Sequence, residues 1–255
     1  MPKRKIFSKL YMVLIFALLY VPILVLIVFS FNTSKLNAVW TGFTLDWYRK
    51  LMGNRDILRA MGNSLQVAFL STALSTMVGT LAAVGMYRYK FKGKAVLDNL
   101  LYIPMVIPEI VLGIALLMFF SRFRVPLGIR TLVIAHATFS IPFVFITVKS
   151  RMAGFDSAIE EAAMDLGASP LQTFLHVTLP VILPGVAAGA LLSFTLSIDD
   201  VITSFFVTGP STNTFPLQVY SMVKFGVSPE INALSTVMLV ITITVALLGE
   251  KLKKE

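Results

Sequence analysis

The chain alternates between long apolar runs and short polar segments. A run of about 20 apolar residues is long enough to cross roughly 30 Å of hydrocarbon as an α-helix. Six spans are predicted from these runs, with the polar segments between them as loops. The predicted spans are residues 10–31, 63–87, 97–121, 127–150, 183–207 and 231–249.

The first span follows a basic cluster and is predicted to be a retained anchor. A signal peptide would have a shorter apolar core followed by a small-residue cleavage site, whereas this apolar run continues to Phe31. The second span is rich in Ser, Thr, Gly and Ala, so it is expected to pack closely inside a helix bundle. The third and fourth spans are expected to form a tight pair across a short turn that contains arginine.

Composition supports an all-α integral membrane protein. Hydrophobic residues make up 56% of the chain and the mean hydropathy is +0.83, while soluble proteins contain about 45–50% apolar residues. The net charge of +9 does not indicate nucleic acid, because the basic residues flank apolar spans as topology signals do. The absence of cysteine excludes disulfides, thiolate metal sites and cysteine nucleophiles.

Three dense clusters of Lys and Arg indicate the orientation in the membrane. With six spans they fall on one side, which we assign to the cytoplasm, so both termini are expected there. The clusters are Lys3, Arg4, Lys5 and Lys9; Arg88, Lys90, Lys92 and Lys94; and Lys251, Lys253 and Lys254. The loop between spans four and five falls on the same side, although it is acidic.

This loop is predicted to fold as helix, glycine turn and helix. Ser157 and Glu160 have capping-box spacing, so a helix should begin at the residue after Ser157. Gly167 is the expected C-terminal stop. A second capping box begins at Ser169, and its helix is expected to end at Pro180 because proline interrupts the helical hydrogen bonds.

The first of these helices has an apolar stripe and an acidic face. Four apolar residues follow the i, i+3, i+4, i+7 spacing of one helix face, namely Ile159, Ala162, Ala163 and Leu166. The acids of the loop are Asp156, Glu160, Glu161 and Asp165. A helix that lies on lipid is usually basic, so this acidic helix is more consistent with docking onto a basic protein surface.

The loop resembles the EAA loop of the permeases of bacterial ABC importers. The residues that carry the resemblance are Glu161, Ala162, Ala163, Gly167, Leu179 and Pro180, with Val177 where isoleucine is usual. It extends over about residues 63–249 and implies the type I permease fold, with a cytoplasmic coupling helix between spans four and five. In that family the loop sits in a cleft of a separate, cytosolic ATPase subunit, so Glu161, with Asp165 one turn later, is expected to offer charge to that partner.

The sequence contains no recognisable site for ATP hydrolysis. A phosphate loop ends in Gly-Lys-Ser/Thr, and the single Gly-Lys here, Gly93-Lys94, is followed by Ala95. His136 and His176 lack a zinc-type spacing with carboxylates, and no nucleophile–base arrangement is present. The chain is therefore predicted to be a non-enzymatic subunit without a metal or cofactor of its own, and ATP and magnesium are expected on the partner ATPase.

Three carboxylates fall inside predicted spans well away from the basic turns, Glu109 near the middle of the third span and Asp199 and Asp200 in the outer half of the fifth. An ionised carboxylate at the centre of a bilayer costs about 2.5–3.5 kcal/mol on insertion scales, and neither span contains Lys or Arg to neutralise it. A water-filled path for a polycation accounts for such acids, as acidic rings do in cation channels. Glu109 and at least one aspartate are expected to line this path.

Other roles for these residues stay open. Adjacent helical residues point about 100° apart, so Asp199 and Asp200 cannot both face one pore. One of them is expected to cap a broken helix or to pair with a partner subunit. His136, in the fourth span, is interpreted as a packing residue with satisfied hydrogen bonds rather than as a ligand.

Several segments resemble the permease subunits of spermidine/putrescine ABC importers. They are residues 193–200, 204–210, 216–223 and 87–93, together with Pro22 and residues 29–32. The resemblance implies polyamine import across the bacterial inner membrane. It also implies an assembly with a second, unlike permease, two copies of an ATPase and an extracytoplasmic polyamine-binding protein, with no nucleic acid involved.

Three segments are expected along the chain. Residues 1–62 hold the N-terminus, the first span and an external loop; residues 63–250 form the permease core with its coupling loop at about 156–180; and residues 251–255 form a cytoplasmic tail. The external residues 209–227 are expected to belong to the mouth that the binding protein meets.

Three alternative functions stay open at this point. A permease for iron, phosphonates or opines would share part of the region around residues 197–200. A proton-driven transporter would use Glu109 and Asp199 as a relay. A membrane scaffold that recruits a cytosolic protein through the loop would leave the intramembrane acids unexplained.

Overall fold

The computed structural model describes residues 2–34, 39–224 and 229–254, and these residues are mostly helical, as predicted. The helices are α1 (Pro2–Phe29), α2 (Asp46–Gly53), α3 (Arg55–Arg88), α4 (Lys94–Val106), α5 (Glu109–Arg122), α6 (Ile129–Met152), α7 (Ala158–Asp165), α8 (Pro170–Thr173), a π-helix (Phe174–Thr178), α9 (Leu179–Asp199), α10 (Ile202–Val207), α11 (Phe215–Lys224) and α12 (Pro229–Lys254). The chain divides into two compact units, residues 1–58 with 219–255, and residues 59–218.

In the first unit, Asn32 ties the end of α1 to the loop that follows it. Its side-chain amide donates to the Val39 carbonyl at 2.8 Å, and its Oδ1 accepts from the Thr41 backbone N–H at 2.9 Å. The Trp47 indole of α2 donates to the Asn32 carbonyl at 2.7 Å. Asn32 is therefore buried with its polar groups satisfied, and α12 packs on both α1 and α2.

Four helical segments of the described chain are long and apolar enough to cross a membrane. They are Lys9–Phe29, Arg55–Arg88, Ile129–Met152 and Pro170–Asp199. The pair of α4 and α5 adds a fifth if it is counted as one broken span. The sixth span stays a prediction: it falls within α12.

Part of the predicted topology signal lies outside the side chains that the structure describes. The side chains of residues 1–8, 241–242 and 244–255 are outside the described set. They include the N-terminal basic residues and the lysines of the C-terminal tail, namely Lys3, Arg4, Lys5, Lys251, Lys253 and Lys254.

In the second unit, α3, α6 and α9 approach each other closely where glycine and serine replace larger side chains. An added Cβ at Gly79 of α3 would lie 2.8 Å from the Val144 Cβ of α6, and one at Gly189 of α9 would lie 3.0 Å from the Val144 Cα. The Ser75 hydroxyl of α3 is hydrogen bonded to the Ser193 hydroxyl of α9 at 2.7 Å. The second span therefore packs closely against α6 and α9, as its small residues predicted.

The predicted third span is not one straight helix, which corrects the sequence prediction. α4 ends at Val106 and α5 begins at Glu109, and the two helices are bent by 106°. Ile107 and Pro108 between them are extended, with ψ of 130° and 134°. Proline lacks an N–H group and disfavours the helical conformation of the residue before it, so Pro108 accounts for the break.

The predicted fifth span, residues 183–207, also differs from the structure at both of its ends. The helix begins earlier, because α8, the π-helix and α9 form one continuous segment from Pro170 to Asp199. It then breaks at Asp200, whose ψ is 126°, and resumes as α10 at Ile202. The intramembrane aspartates therefore lie at a helix end and not within a continuous helix.

The close approach of α3 and α6 yields a stability prediction for Gly79→Ala. The added methyl group would lie 2.8 Å from the Val144 Cβ, so the helices must shift, and overpacking of this kind costs about 1–3 kcal/mol. We expect a lower melting temperature for the purified protein in detergent.

The matched control is Gly85→Ala on the same helix. An added Cβ at Gly85 meets nothing within 4 Å, and alanine is the better helix former, so this variant is expected to melt at or above the temperature of the unmodified protein. Equal melting temperatures for Gly79→Ala and Gly85→Ala would contradict the contact between α3 and α6.

Candidate functional site

Glu109 lies at the break between α4 and α5 and is the first residue of α5. The first turn of a helix presents unpaired N–H groups and the positive end of the helix dipole, so a carboxylate is stabilised there. The Glu109 side chain is exposed. The sequence located this acid inside a span, and the structure adds that it stands at a helix end.

The break between α9 and α10 separates the two aspartates. Asp200 turns inward and caps the first turn of α10, because its Oδ1 accepts from the Thr203 N–H at 3.2 Å and its Oδ2 accepts from the Ser204 N–H at 2.7 Å. The Asp200 side chain is 7% exposed. Asp199 is exposed instead. The prediction that one aspartate caps a broken helix is therefore confirmed, and Asp200 is that residue.

Both breaks open onto one cavity of about 430 Å³. All three predicted acids line it, and the aromatic rings of Phe139 and Phe143 on α6 line it too. The described residues that line it include no lysine and no arginine. The structure therefore brings together acids that are about 90 residues apart in the sequence, Glu109 on one side and Asp199 and Asp200 on the other.

The chemistry of this cavity suits an elongated cation. Exposed carboxylates accept charge-assisted hydrogen bonds from ammonium groups. The faces of phenylalanine rings attract cations and also cover methylene groups. Because Asp200 is already occupied by backbone N–H groups, Glu109 and Asp199 are the acids left to meet a ligand.

Behind the cavity, His136 connects α6 to the break between α9 and α10. Its ring is fully buried, with Nδ1 at 2.7 Å from the Ser197 hydroxyl and Nε2 at 3.0 Å from the Ser204 hydroxyl. Nε2 also lies 3.4 Å from the Asp200 Oδ2. Ser197 is in turn hydrogen bonded to Ser71 of α3 at 3.1 Å. His136 is thus a packing residue with its hydrogen bonds satisfied, in line with its interpretation from sequence.

The seven-residue separation of Ser197 and Ser204 would correspond to two turns of one helix. This spacing did not indicate that the helix breaks between the two serines, or that both hydroxyl groups contact the imidazole of His136. This polar connection was therefore missed by the sequence analysis.

The acidic loop between α6 and α9 contains a helix that begins at Ala158, as predicted. Its cap is different from the prediction, because Ser157 makes no side-chain cap hydrogen bond and the Asp156 Oδ1 accepts from the Ala158 N–H at 3.0 Å. Glu160 is buried and contacts Arg88 of α3 at 2.5 Å. The predicted capping box of Ser157 and Glu160 is wrong, because the Glu160 carboxylate is held by a guanidinium.

The glycine turn and the second capping box are confirmed. Gly167 has a φ of +92°, a backbone conformation that glycine adopts without the steric cost of a Cβ. The Ser169 N–H donates to the Gln172 Oε1 at 2.8 Å, and the Gln172 N–H donates to the Ser169 Oγ at 3.4 Å. These bonds begin α8 with Pro170 in its first turn.

Pro180 does not end the second helix, which corrects the prediction. The chain forms a π-helix from Phe174 to Thr178, and the Leu179 N–H donates to the Phe174 carbonyl, five residues back. A π-turn is wider than an α-turn. The wider turn directly before Pro180 lets the helix continue past a residue that has no N–H group.

The outer face of α7 is apolar and acidic, and in the described chain it is uncovered. Ile159 is 48% exposed and Leu166 is 91% exposed. Glu161, Ala162 and Asp165 are exposed as well. Of the other residues of the predicted loop motif, Ala163 and Leu179 are half-buried, and Gly167 and Pro180 are exposed.

Residues 75–251 match the family described as binding-protein-dependent transport system inner membrane component. The chain is 46% identical over 245 residues to the spermidine/putrescine transport system permease protein PotC of Escherichia coli K12, covering 96% of this chain and 93% of that protein. It is 41% identical over 231 residues to the putrescine transport system permease protein PotI of the same organism, covering 88% and 82%.

A solved structure shares the fold. It is the crystal structure of a bacterial ABC transporter involved in the import of the acidic polysaccharide alginate, with a TM-score of 0.78, 18% sequence identity and 98% of each chain covered. The all-helical fold is therefore that of ABC-importer permeases.

The buried imidazole generates a second stability prediction. In His136→Leu the hydroxyl groups of Ser197 and Ser204 lose a buried partner, and we expect a loss of about 1–3 kcal/mol, seen as a lower melting temperature. His176→Leu is the control, because it removes the exposed imidazole and is expected to change the melting temperature little. An unchanged melting temperature in His136→Leu would contradict the structural role of this histidine.

Proposed function

Since this chain belongs to the family of binding-protein-dependent transport system inner membrane components, we propose that it is the permease subunit of an ATP-driven importer of polyamines. Spermidine and putrescine are the cargo of its relatives by name. The chain is a permease subunit and not an enzyme. In this proposal a separate ATPase binds ATP and magnesium, and transport proceeds by alternating access across the bacterial inner membrane.

The observation that carries the polyamine proposal is the cavity with its acids and its aromatic rings. A linear polyamine alternates ammonium groups with short methylene chains. Glu109 and Asp199 suit the ammonium groups, and Phe139 and Phe143 suit the methylene segments. Asp200 fixes the break that presents Asp199, so its role in the pathway is indirect.

We propose that the conformational change driven by ATP hydrolysis is transmitted to this chain through the loop around α7. An exposed face with Ile159 and Leu166 beside Glu161 and Asp165 fits a basic cleft on a cytosolic ATPase, with Ala162 and Ala163 allowing close approach. The glycine turn at Gly167 and the helix start at Leu179 and Pro180 frame this docking helix.

The proposed topology has both termini and the α7 loop in the cytoplasm. It follows from the basic clusters of the sequence. We also propose a second, unlike permease, a paired ATPase and an extracytoplasmic binding protein as partners. Residues 209–227 are proposed to contribute to the external mouth; of these, residues 225–227 lie outside the described residues.

The substrate role of the acids is tested by Glu109→Gln and Asp199→Asn. Each change removes a charge while keeping the side-chain size. A hydrogen bond to a charged group contributes about 1.5–3 kcal/mol, so we expect a drop of about tenfold or more in uptake. The measurement is uptake of radiolabelled spermidine and putrescine by the complete transporter in proteoliposomes that contain ATP, at saturating binding protein.

Asp56→Asn is the matched control, because it neutralises an exposed acid in the first turn of α3. Co-purification of all subunits shows that each variant assembles. Unchanged uptake in Glu109→Gln and Asp199→Asn would remove both acids from the pathway. Uptake that needs a proton gradient and is indifferent to ATP would overturn the proposed function itself.

The docking role is tested by Glu161→Lys. The reversed charge meets a basic cleft, so we expect polyamine uptake to fall several-fold while ATP hydrolysis continues without it. Asp56→Lys serves as the charge-reversal control on an exposed acid outside the loop. Full coupling in Glu161→Lys, measured as polyamine imported per ATP hydrolysed, would contradict docking through this face.

A further inference from the structure

An ion pair between half-buried Arg88 and buried Glu160 attaches the inner end of α3 to the acidic loop. Arg88, the last residue of α3, donates from Nε to the Glu160 Oε2 at 3.1 Å and from Nη2 to the Glu160 Oε1 at 2.5 Å. The two side chains are 22% and 9% exposed. Two parallel N–H···O bonds fix the relative orientation of a guanidinium and a carboxylate, and not only their distance.

Thr178 completes this arrangement from a third segment. It is the last residue of the π-helix and is fully buried. Its hydroxyl accepts from the Arg88 Nη2 at 2.9 Å and donates to the Glu160 Oε1. The ends of α3, α7 and the π-helix therefore meet at three side chains with complementary hydrogen-bonding groups.

Two neighbouring acids on α7 point to different sides, about 100° apart. Glu161 is exposed on the outer face, whereas Glu160 is buried against Arg88 and Thr178. The docking face and the internal attachment thus lie on different sides of one short helix. The outer face therefore lies directly over the buried contacts of Glu160.

The two segments that contact Glu160, α3 and the π-helix, are both connected to the cavity through α9. Thr178 is followed without a break by α9, which ends at Asp199. α3 is bonded to α9 again within the bundle, through Ser75 and Ser193 at 2.7 Å. A rigid connection between α7 and these two helices therefore has a continuous route to the carboxylate of the cavity.

We propose that Arg88, Glu160 and Thr178 act together as positioning residues for transport. They fix the angle of α7 against α3 and α9, so that movement imposed on the docking face reaches the break at Asp199. This inference rests on the proposed function and adds to it a specific transmitting contact inside this chain.

The test compares Thr178→Val, Thr178→Ser, Arg88→Gln and Arg88→Lys in the complete transporter. The readout is the number of ATP molecules hydrolysed per polyamine imported in proteoliposomes. We expect both Thr178→Val and Arg88→Gln to raise this ratio at least threefold. Thr178→Val removes the hydroxyl group that bridges Arg88 and Glu160, and Arg88→Gln removes the two-point contact with Glu160. Thr178→Ser keeps the hydroxyl and should keep the ratio. Arg88→Lys keeps the charge without the fork and should fall in between.

Lys92→Gln is the matched control for Arg88→Gln, because it removes an exposed charge from the turn that follows α3. A purely structural role would lower the melting temperature and leave the ratio unchanged. A ratio within twofold of the unmodified transporter in both Thr178→Val and Arg88→Gln would overturn the proposal. If Arg88→Gln does not assemble, the contrast between Thr178→Val, which keeps the size of the side chain, and Thr178→Ser, which keeps the hydroxyl group, decides it.

The experiment separates this inference from the proposed function. Failure of the unmodified transporter to import polyamines with ATP would overturn the proposed function. Coupled import by the unmodified transporter together with unchanged ratios in the variants would overturn the role of the three positioning residues alone.

Discussion

Backbone polar groups in the hydrocarbon layer find no water, so each needs a partner within the protein. A break in a membrane helix is therefore tolerated only where the freed groups are buried in protein or face a water-filled space. Within the described residues, the break between α4 and α5 and the break between α9 and α10 lie beside one cavity. Asp200 satisfies the N–H groups that the second break frees, and His136 holds the same carboxylate from behind. The helix breaks, the cavity beside them and the capping acid thus all relate to the need of each backbone polar group for a hydrogen-bond partner.

The fold alone does not determine which substrate is transported, because the side chains that line the site do. The structurally similar transporter imports an acidic polysaccharide, whereas the cavity described above contains carboxylates and no described lysine or arginine. Function is set by the chemistry of a site more than by the fold that carries it. In the proposed polyamine importer, the sign of the charge at a few positions such as Glu109 and Asp199 decides which ligands enter.

Helix starts, turns and close-packing positions that depend on neighbouring residues in the chain could be predicted from the sequence. Features that depend on partners distant in the sequence could not. Small residues predicted the close packing of the second span, and local signals predicted the start of α7, the turn at Gly167 and the cap at Ser169. Whether a proline breaks a helix was harder to predict, because the outcome depends on the residues packed around it. Proline lies inside helices at Pro22, Pro104, Pro142 and Pro184, breaks a helix at Pro108 and follows a π-helix at Pro180. The Arg88–Glu160 contact, which joins residues 72 positions apart, has no local signature.

The π-helix between Phe174 and Thr178 makes the length of the chain at this point as important as its composition. A π-turn contains one residue more than the α-helical ladder needs. Deleting one residue there would restore a regular helix, yet it would rotate everything before it by about 100° relative to α9. Glu160 would then swing away from Arg88. A change in the number of residues across 174–178 is therefore expected to disturb transport more than a change of residue type there, Thr178 excepted, since the phase between the proposed docking helix and the cavity is counted in residues.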